Sequence, residues 1–151
     1  MNSGFDLTKG IAIGSDHAGF EYKQGLVKWL EEKGIKVSDL GVDSANSVDY
    51  PDYAHPVADL VEEKAVAFGI LLCGSANGVC MTANKHQKIR AALCWQTDVA
   101  RLVRQHNNAN IICIPARFVS FDLAKQMIDI FIETSFEGGR HETRIGKMAC
   151  N

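Results

Sequence analysis

The chain has 151 residues, 46% hydrophobic and 23% charged, which suits one domain that buries about two thirds of its unfolded surface. Its 16 basic and 18 acidic residues leave a formal charge of −2 with no basic block or acidic tail, so the electrostatic footprint of a nucleic-acid or anionic-membrane binder is missing. No apolar run approaches the roughly 20 residues of a bilayer span, and Met1 to Lys9 lacks a signal-peptide apolar region, so a cytoplasmic protein with a small-molecule or subunit partner is expected.

Short β-like apolar runs alternate with longer helical patterns, and this rhythm predicts an α/β fold in which helices cover both faces of a parallel sheet. In chain order, a strand at Ile11 to Gly14 leads to a helix at Phe20 to Lys33 that Gly34 stops. A second strand follows at Lys36 to Leu40. Ala54, Val57, Ala58, Val61 and Ala65 then recur at helical spacing. The third strand is Gly69 to Cys73 and the fourth Ala91 to Cys94, followed by the stripe Val99, Leu102, Val103 and His106. The fifth strand, Asn110 to Ile114, precedes a helix carrying Leu123, Met127, Ile130 and Phe131, for which Ser120 is the expected N-cap. Residues 135–151 read as a tail outside the core of a single domain, 1–151.

Five cysteines form no C-x-x-C pair, so neither a zinc ribbon nor a thioredoxin-like motif is written here. Cys94 and Cys113 end apolar runs as small buried hydrophobes do. Ligand sites of open α/β sheets lie beyond the carboxyl ends of the strands, and those positions are polar here. Asp16 and His17 follow the first strand; Tyr50 lies in the loop after the second; Gly74, Ser75, Ala76, Asn77 and Gly78 follow the third; Arg117 follows the fifth. The 74–78 turn can aim backbone N–H groups at one anion, or it is simply a tight turn. Cys73 is either a buried strand-end thiol or, facing a helix N-terminus, a thiol with a depressed pKa and hence a base or nucleophile. Asp16 can cap a helix beside a surface His17, or the pair can recognise hydroxyl and phosphate groups.

His106 continues an apolar stripe, which makes a partly buried structural histidine the plainer reading. Because such helices run antiparallel to the strands, His106 is expected near their amino ends, about 17 Å from Cys73. If both act in one reaction, they must meet across a subunit interface. Arg140 and Arg144, at i and i+4, can grip a phosphate or belong to a solvated tail.

Together, I-A-I-G-S-D-H-A-G-F, D-Y-P-D-Y-A, L-L-C-G-S-A-N-G, R-Q-H-N-N-A-N and G-G-R-H-E-T-R resemble ribose-5-phosphate isomerase type B, whose family also holds galactose-6-phosphate isomerase subunits and allose-6-phosphate isomerase. The resemblance spans nearly the whole chain. It implies a Rossmann-like three-layer α/β/α sandwich, here with five parallel strands and a C-terminal helical tail. It further implies a homodimer or dimer of dimers with sites at the interface, no cofactor and no metal. The implied reaction interconverts ribose 5-phosphate and ribulose 5-phosphate through an enediolate, in the pentose phosphate pathway. By position, Cys73 resembles the base that takes the C2 proton and Gly74 to Gly78 the anion hole, with His106 assisting ring opening and Asp16 at the ring oxygen or a nearby hydroxyl. Tyr50 and Asn107 resemble sugar contacts. His17, Arg140 and Arg144 resemble the phosphate grip, with Arg117 a further binding position.

Two positions depart from the family pattern. Ala76 stands where glycine is common, and Val79 stands where one branch carries a glutamate base; Cys80 matches no role and reads as structural. Three alternatives are carried forward: an isomerase of a 6-phosphohexose, a non-catalytic sugar-phosphate-binding subunit, and a thiol hydrolase using Cys73 with a partner's His106.

Overall fold

The computed structural model describes residues 4–150; residues 1–3 and 151, the ends of the expected domain and tail, lie outside the described residues. Five parallel strands form one sheet: β1 (Ile11–Ser15), β2 (Val37–Asp39), β3 (Phe68–Cys73), β4 (Ala91–Leu93) and β5 (Ile111–Pro115). Their spatial order is β2-β1-β3-β5-β4. Helices α1 (Phe20–Glu32), α2 (Pro51–Glu62), α3 (Asn77–Ala83), α4 (Thr97–Asn107) and α5 (Phe121–Glu133) connect and cover the strands, and a short α6 (Arg140–Ile145) lies in the tail.

The pleat sorts the strand residues between two cores, because successive side chains point to opposite faces. Ile11, Ile13, Ile70, Leu72, Ile112 and Ile114 pack with Leu26 and Leu30 of α1, Ala100 of α4 and Met127, Ile128 and Phe131 of α5. Ala12, Leu71, Cys73, Ile111 and Cys113 pack instead with Val57, Ala58 and Val61 of α2 and Val79 and Ala83 of α3. The three-layer α/β/α architecture read from the sequence is therefore the one observed. A continuous apolar composition suits β1, β3 and β5, which are buried on both faces.

From β1 the chain moves to one side of the sheet through α1, and from β2 it crosses back through α2 to β3. The loops after β1 and β3 thus diverge from neighbouring strands, which opens the crevice that α/β folds use for ligands. Gly14 lets α2 sit close to this point: a β-carbon there would stand 2.8 Å from the Tyr53 carbonyl oxygen and 3.0 Å from Val57 Cγ2.

Three expectations need correction. Ala65 is not on the second helix, which ends at Glu62 because Lys64 takes the left-handed conformation at φ 59°. Leu102 is 45% exposed, whereas Arg104 is 2% exposed; the buried face of α4 runs through Ala100 and Arg104, one turn apart. The tail is not wholly outside the packed structure, since His141 is buried. Ser120 caps α5 as expected, its hydroxyl accepting the Leu123 N–H at 3.0 Å. Cys94 and Cys113 are fully buried, and burial pushes the Cys94 thiol up to about 12.

Candidate active site

One group of expected site residues gathers at the carboxyl edge of β1 and β3. Asp16 is buried, and its Oδ1 accepts the N–H groups of Ala18 and Gly19 at 2.9 and 3.2 Å. This caps a single 3-10 turn, His17–Gly19, that hands the chain to α1. The capping reading therefore holds, while His17 is not a plain surface residue: its Nδ1 accepts the Val48 N–H at 3.3 Å and is half-buried. Ser15 just before it is buried, and its Oγ has no hydrogen-bond partner among the described residues.

Cys73 ends β3 with 6% of its surface exposed, beside the turn that carries the Val79, Ala76 and Ser75 N–H groups. Those donors favour the thiolate, and the nearby Asp16 carboxylate opposes it. Burial outweighs both and pushes the thiol above its ordinary value. The depressed pKa expected from a helix N-terminus is thus not found, because desolvation of the sulfur is larger than the help of three amides.

Ala76 starts α3 in the left-handed conformation, at φ 64° and ψ 1°. A non-glycine residue there costs about 1–2 kcal/mol. The turn nonetheless closes as a nest of donors. Tyr50 reaches this turn from the start of α2, its ring lying where a Gly78 side chain would stand. Arg117 reaches it from the loop after β5: its N–H donates to the Gly74 carbonyl at 3.1 Å, and its side chain lies over Gly74 Cα. Ser75, Asn77, Tyr50 and Arg117 all keep exposed surface, so the turn opens to solvent. Asn77 Nδ2 donates to Ser75 Oγ at 3.2 Å.

A second group lies at the opposite edge of the sheet. α4 runs back from the carboxyl end of β4 and ends beside the start of β5, which carries His106 and Asn107 to the amino edge. The last carbonyls of α4 are held there by two arginines. Arg90 Nε donates to the Asn107 and Asn108 carbonyls, each at 3.0 Å. Arg104 Nη1 bonds Asn108 Oδ1 at 2.9 Å and the Ala109 carbonyl at 2.6 Å, and its Nε bonds the Thr134 carbonyl at 3.2 Å. Its guanidinium lies 4.1 Å from the centroid of the Phe5 ring.

The tail adds to this edge. Glu137 N–H donates to the Gln105 carbonyl at 3.0 Å, pinning the tail to α4. The His106 ring stacks on His141, centroids 4.3 Å apart and 14° from parallel, and both Nε2 atoms lie 3.5 Å from Glu137 Oε1. Burial, then the neighbouring His106 and Arg140, lower the His141 pKa. Arg140 and Arg144 are exposed on α6. Glu137, His141, Arg90 and Arg104 were not singled out from the sequence. The motif string around Arg140 was the available signal for the first two.

The structure thus brings Asp16, His17, Tyr50, Cys73, Gly74 to Gly78 and Arg117 together, and separately His106, Asn107, Arg140 and Arg144. It does not bring the two groups together within one chain: the length of the sheet, about 17 Å for five residues, lies between them. A cleft of about 360 Å³, lined by Asn107 and Arg90, opens between the 84–92 segment and the chain's last described residues, and one of about 390 Å³ lies beside Asp39 and Tyr53. Neither is lined by Cys73. No helix among the described residues is long and apolar enough to cross a membrane.

Comparison with known proteins converges on one family. A family model described as Ribose/Galactose Isomerase matches residues 11–148. Ribose-5-phosphate isomerase B of Escherichia coli (strain K12) is 42% identical over 137 residues, 91% of this chain and 92% of its own. The crystal structure of a ribose 5-phosphate isomerase from Thermotoga maritima superposes with a TM-score of 0.91 at 50% identity, covering 93% of this chain and 97% of that one. A ribose-5-phosphate isomerase B from Mycoplasma genitalium, with ribulose-5-phosphate bound, gives a TM-score of 0.88 at 42% identity, covering 92% and 93%. The chain belongs to the ribose/galactose isomerase family.

Proposed function

We propose that the protein interconverts ribose 5-phosphate and ribulose 5-phosphate, with Cys73 as the base and the 74–78 turn as the anion hole. The observation that carries this reading is the place of Cys73 at the carboxyl end of β3, leading into a turn that Tyr50 and Arg117 both pack against and whose amides favour the thiolate. The Mycoplasma genitalium relative holding ribulose-5-phosphate supports the choice of sugar.

In the forward direction the Cys73 thiolate removes the proton from C2 of the open-chain aldose. Electrons move onto the C1 carbonyl oxygen, giving an enediolate. The thiol returns the proton to C1, and the O2 proton moves to O1, which leaves the ketose. Preorganised donors at the developing oxyanion contribute about 3–4 kcal/mol for each well-placed group. Asp16 Oδ1 is committed to the Ala18 and Gly19 amides, which leaves Oδ2 to accept a sugar hydroxyl. His17, Arg140 and Arg144 hold the phosphate, with Arg117 a further binding position, so binding energy far from the reacting carbons positions them.

His106 opens the furanose ring, with Asn107 on a sugar hydroxyl. Since His106 and Cys73 stand at opposite edges, the working unit is a homodimer, or a dimer of dimers, in which one chain's α4 and tail complete the partner's site.

The test is proton NMR in deuterated water with ribose 5-phosphate, and with allose 6-phosphate and galactose 6-phosphate in parallel. Turnover of the five-carbon sugar with deuterium entering at the exchanging carbon is expected. Cys73→Ala keeps the circular-dichroism spectrum and loses both turnover and exchange. Near-wild-type turnover of that variant overturns the assignment.

A further inference from the structure

A second cluster of ligating side chains lies where α2 meets the segment between α3 and β4, its His86 lining the same cleft as Asn107. Asp59 and Glu62, three residues apart on α2, face His86. His86 Nδ1 lies 3.2 Å from Glu62 Oε1 and 3.5 Å from Asp59 Oδ1, and one ligand atom from each of the three lies within 4.8 Å of the others. Ligands about 2.0–2.1 Å from a tetrahedral metal ion stand about 3.3 Å from one another. Two of these three separations therefore already match those around a bound zinc ion.

The surrounding bonds orient the same atoms. Glu62 Oε2 accepts the Lys88 N–H at 2.9 Å, which turns Oε1 toward His86. This amide is the first cause of the lowered Glu62 pKa, so the ligand is anionic at neutral pH. On the other side, His86 Nε2 lies 2.8 Å from His55 Nδ1. In the Nδ1–H tautomer His86 donates to Glu62 Oε1 at 3.2 Å; a metal ion at Nδ1 takes the place of that proton, and Nε2–H then donates to His55. Metal-binding histidines commonly have the other ring nitrogen held in this way. His86 is 15% exposed on its side chain and Asp59 59%, so the site is walled by the protein and open on one side for a water ligand.

We propose that Asp59, Glu62 and His86 form a divalent transition-metal site, with His55 fixing the His86 tautomer. One imidazole and two carboxylates suit zinc and its borderline neighbours better than calcium or magnesium, which favour an all-oxygen shell. The ion takes no part in isomerisation. It ties α2 to the segment before β4, displaces any proton held at His86 Nδ1, and stabilises the folded chain by mass action.

The experiment is titration of the full-length protein with zinc chloride in a non-coordinating buffer, followed calorimetrically and by thermal unfolding. Anomalous scattering from a zinc-soaked crystal locates the ion. Expected are one ion between Asp59, Glu62 and His86, a raised Tm, and loss of that binding in both His86→Ala and Glu62→Gln. His55→Ala weakens it about 10- to 100-fold without abolishing it. The His106, Glu137 and His141 cluster is the competing location. Zinc found only there, binding unchanged in His86→Ala and Glu62→Gln, or no binding to the wild-type chain overturns the proposal.

Discussion

The Tyr50 ring stands against the bare Cα of Gly78, so close that an added β-carbon would lie 2.5 Å from Cε1 and 2.9 Å from the hydroxyl oxygen. Tyr50 is 39% exposed, so its ring can swing into solvent and the substitution Gly78→Ala has a way out of the clash. Stability is therefore expected to fall by less than about 1 kcal/mol. With Tyr50 in its proposed role as a sugar contact, moving its ring is expected to lower kcat/KM by up to about 100-fold. Denaturant titration beside steady-state kinetics separates the two. A large stability loss with unchanged kinetics would show that Tyr50 packs and does nothing else.

A thiol base works only as the thiolate. Because burial raises the Cys73 pKa above its ordinary 9.0, the thiolate is a minority at neutral pH and increases as pH rises. Alkylation of the Cys73 peptide by iodoacetamide, read by mass spectrometry, should climb with pH and inflect above the ordinary thiol value. The free enzyme's kcat/KM should rise over the same alkaline range. An inflection below the ordinary value would mean that the amides outweigh burial.

Placement of Cys73 and His106 at opposite edges makes a mixing experiment decisive. Cys73→Ala and His106→Ala chains are each expected to be inactive alone. Unfolded together and refolded, they form mixed dimers for half the population, and each mixed dimer carries one intact site of two. Activity should return to about a quarter of wild type. No recovery would count against sites shared between chains.

Lys64 offers a gain in stability. It is exposed at φ 59° just past α2, where a β-carbon costs about 1–2 kcal/mol and glycine costs about 0.5–1 kcal/mol in entropy. Its carbonyl, which accepts from Lys9 Nζ at 3.2 Å, survives the change. Lys64→Gly should raise unfolding stability by about 0.5–1 kcal/mol, seen as a higher denaturant midpoint at constant m. An equal or lower midpoint would refute the strain argument.

β1, β3 and β5 were legible because apolar runs buried on both faces leave little else for such segments to do. The turn after β3 was legible because its glycines sit at a strand end. Arg104 was not, since a charged residue in a helical pattern reads as solvent-facing, and its partners Thr134 and Ala109 contribute backbone carbonyls that carry no sequence signature. Leu102 was misplaced for the complementary reason: one turn of helix can rotate enough to exchange the two. His141 and Glu137 escaped notice as partners of His106 because a six-residue helix shows no apolar period. The direction of the Cys73 shift depends on a balance between desolvation and three amides, which only coordinates reveal.

Phe5 packs its ring against the guanidinium that closes the end of α4. Phe5 is therefore a cover on the clamp that holds His106 in place. Trimming the amino-terminal arm through Phe5, or pulling on it with a purification tag, would loosen that clamp, so expression variants differing only at this end are expected to differ in turnover as well as in yield.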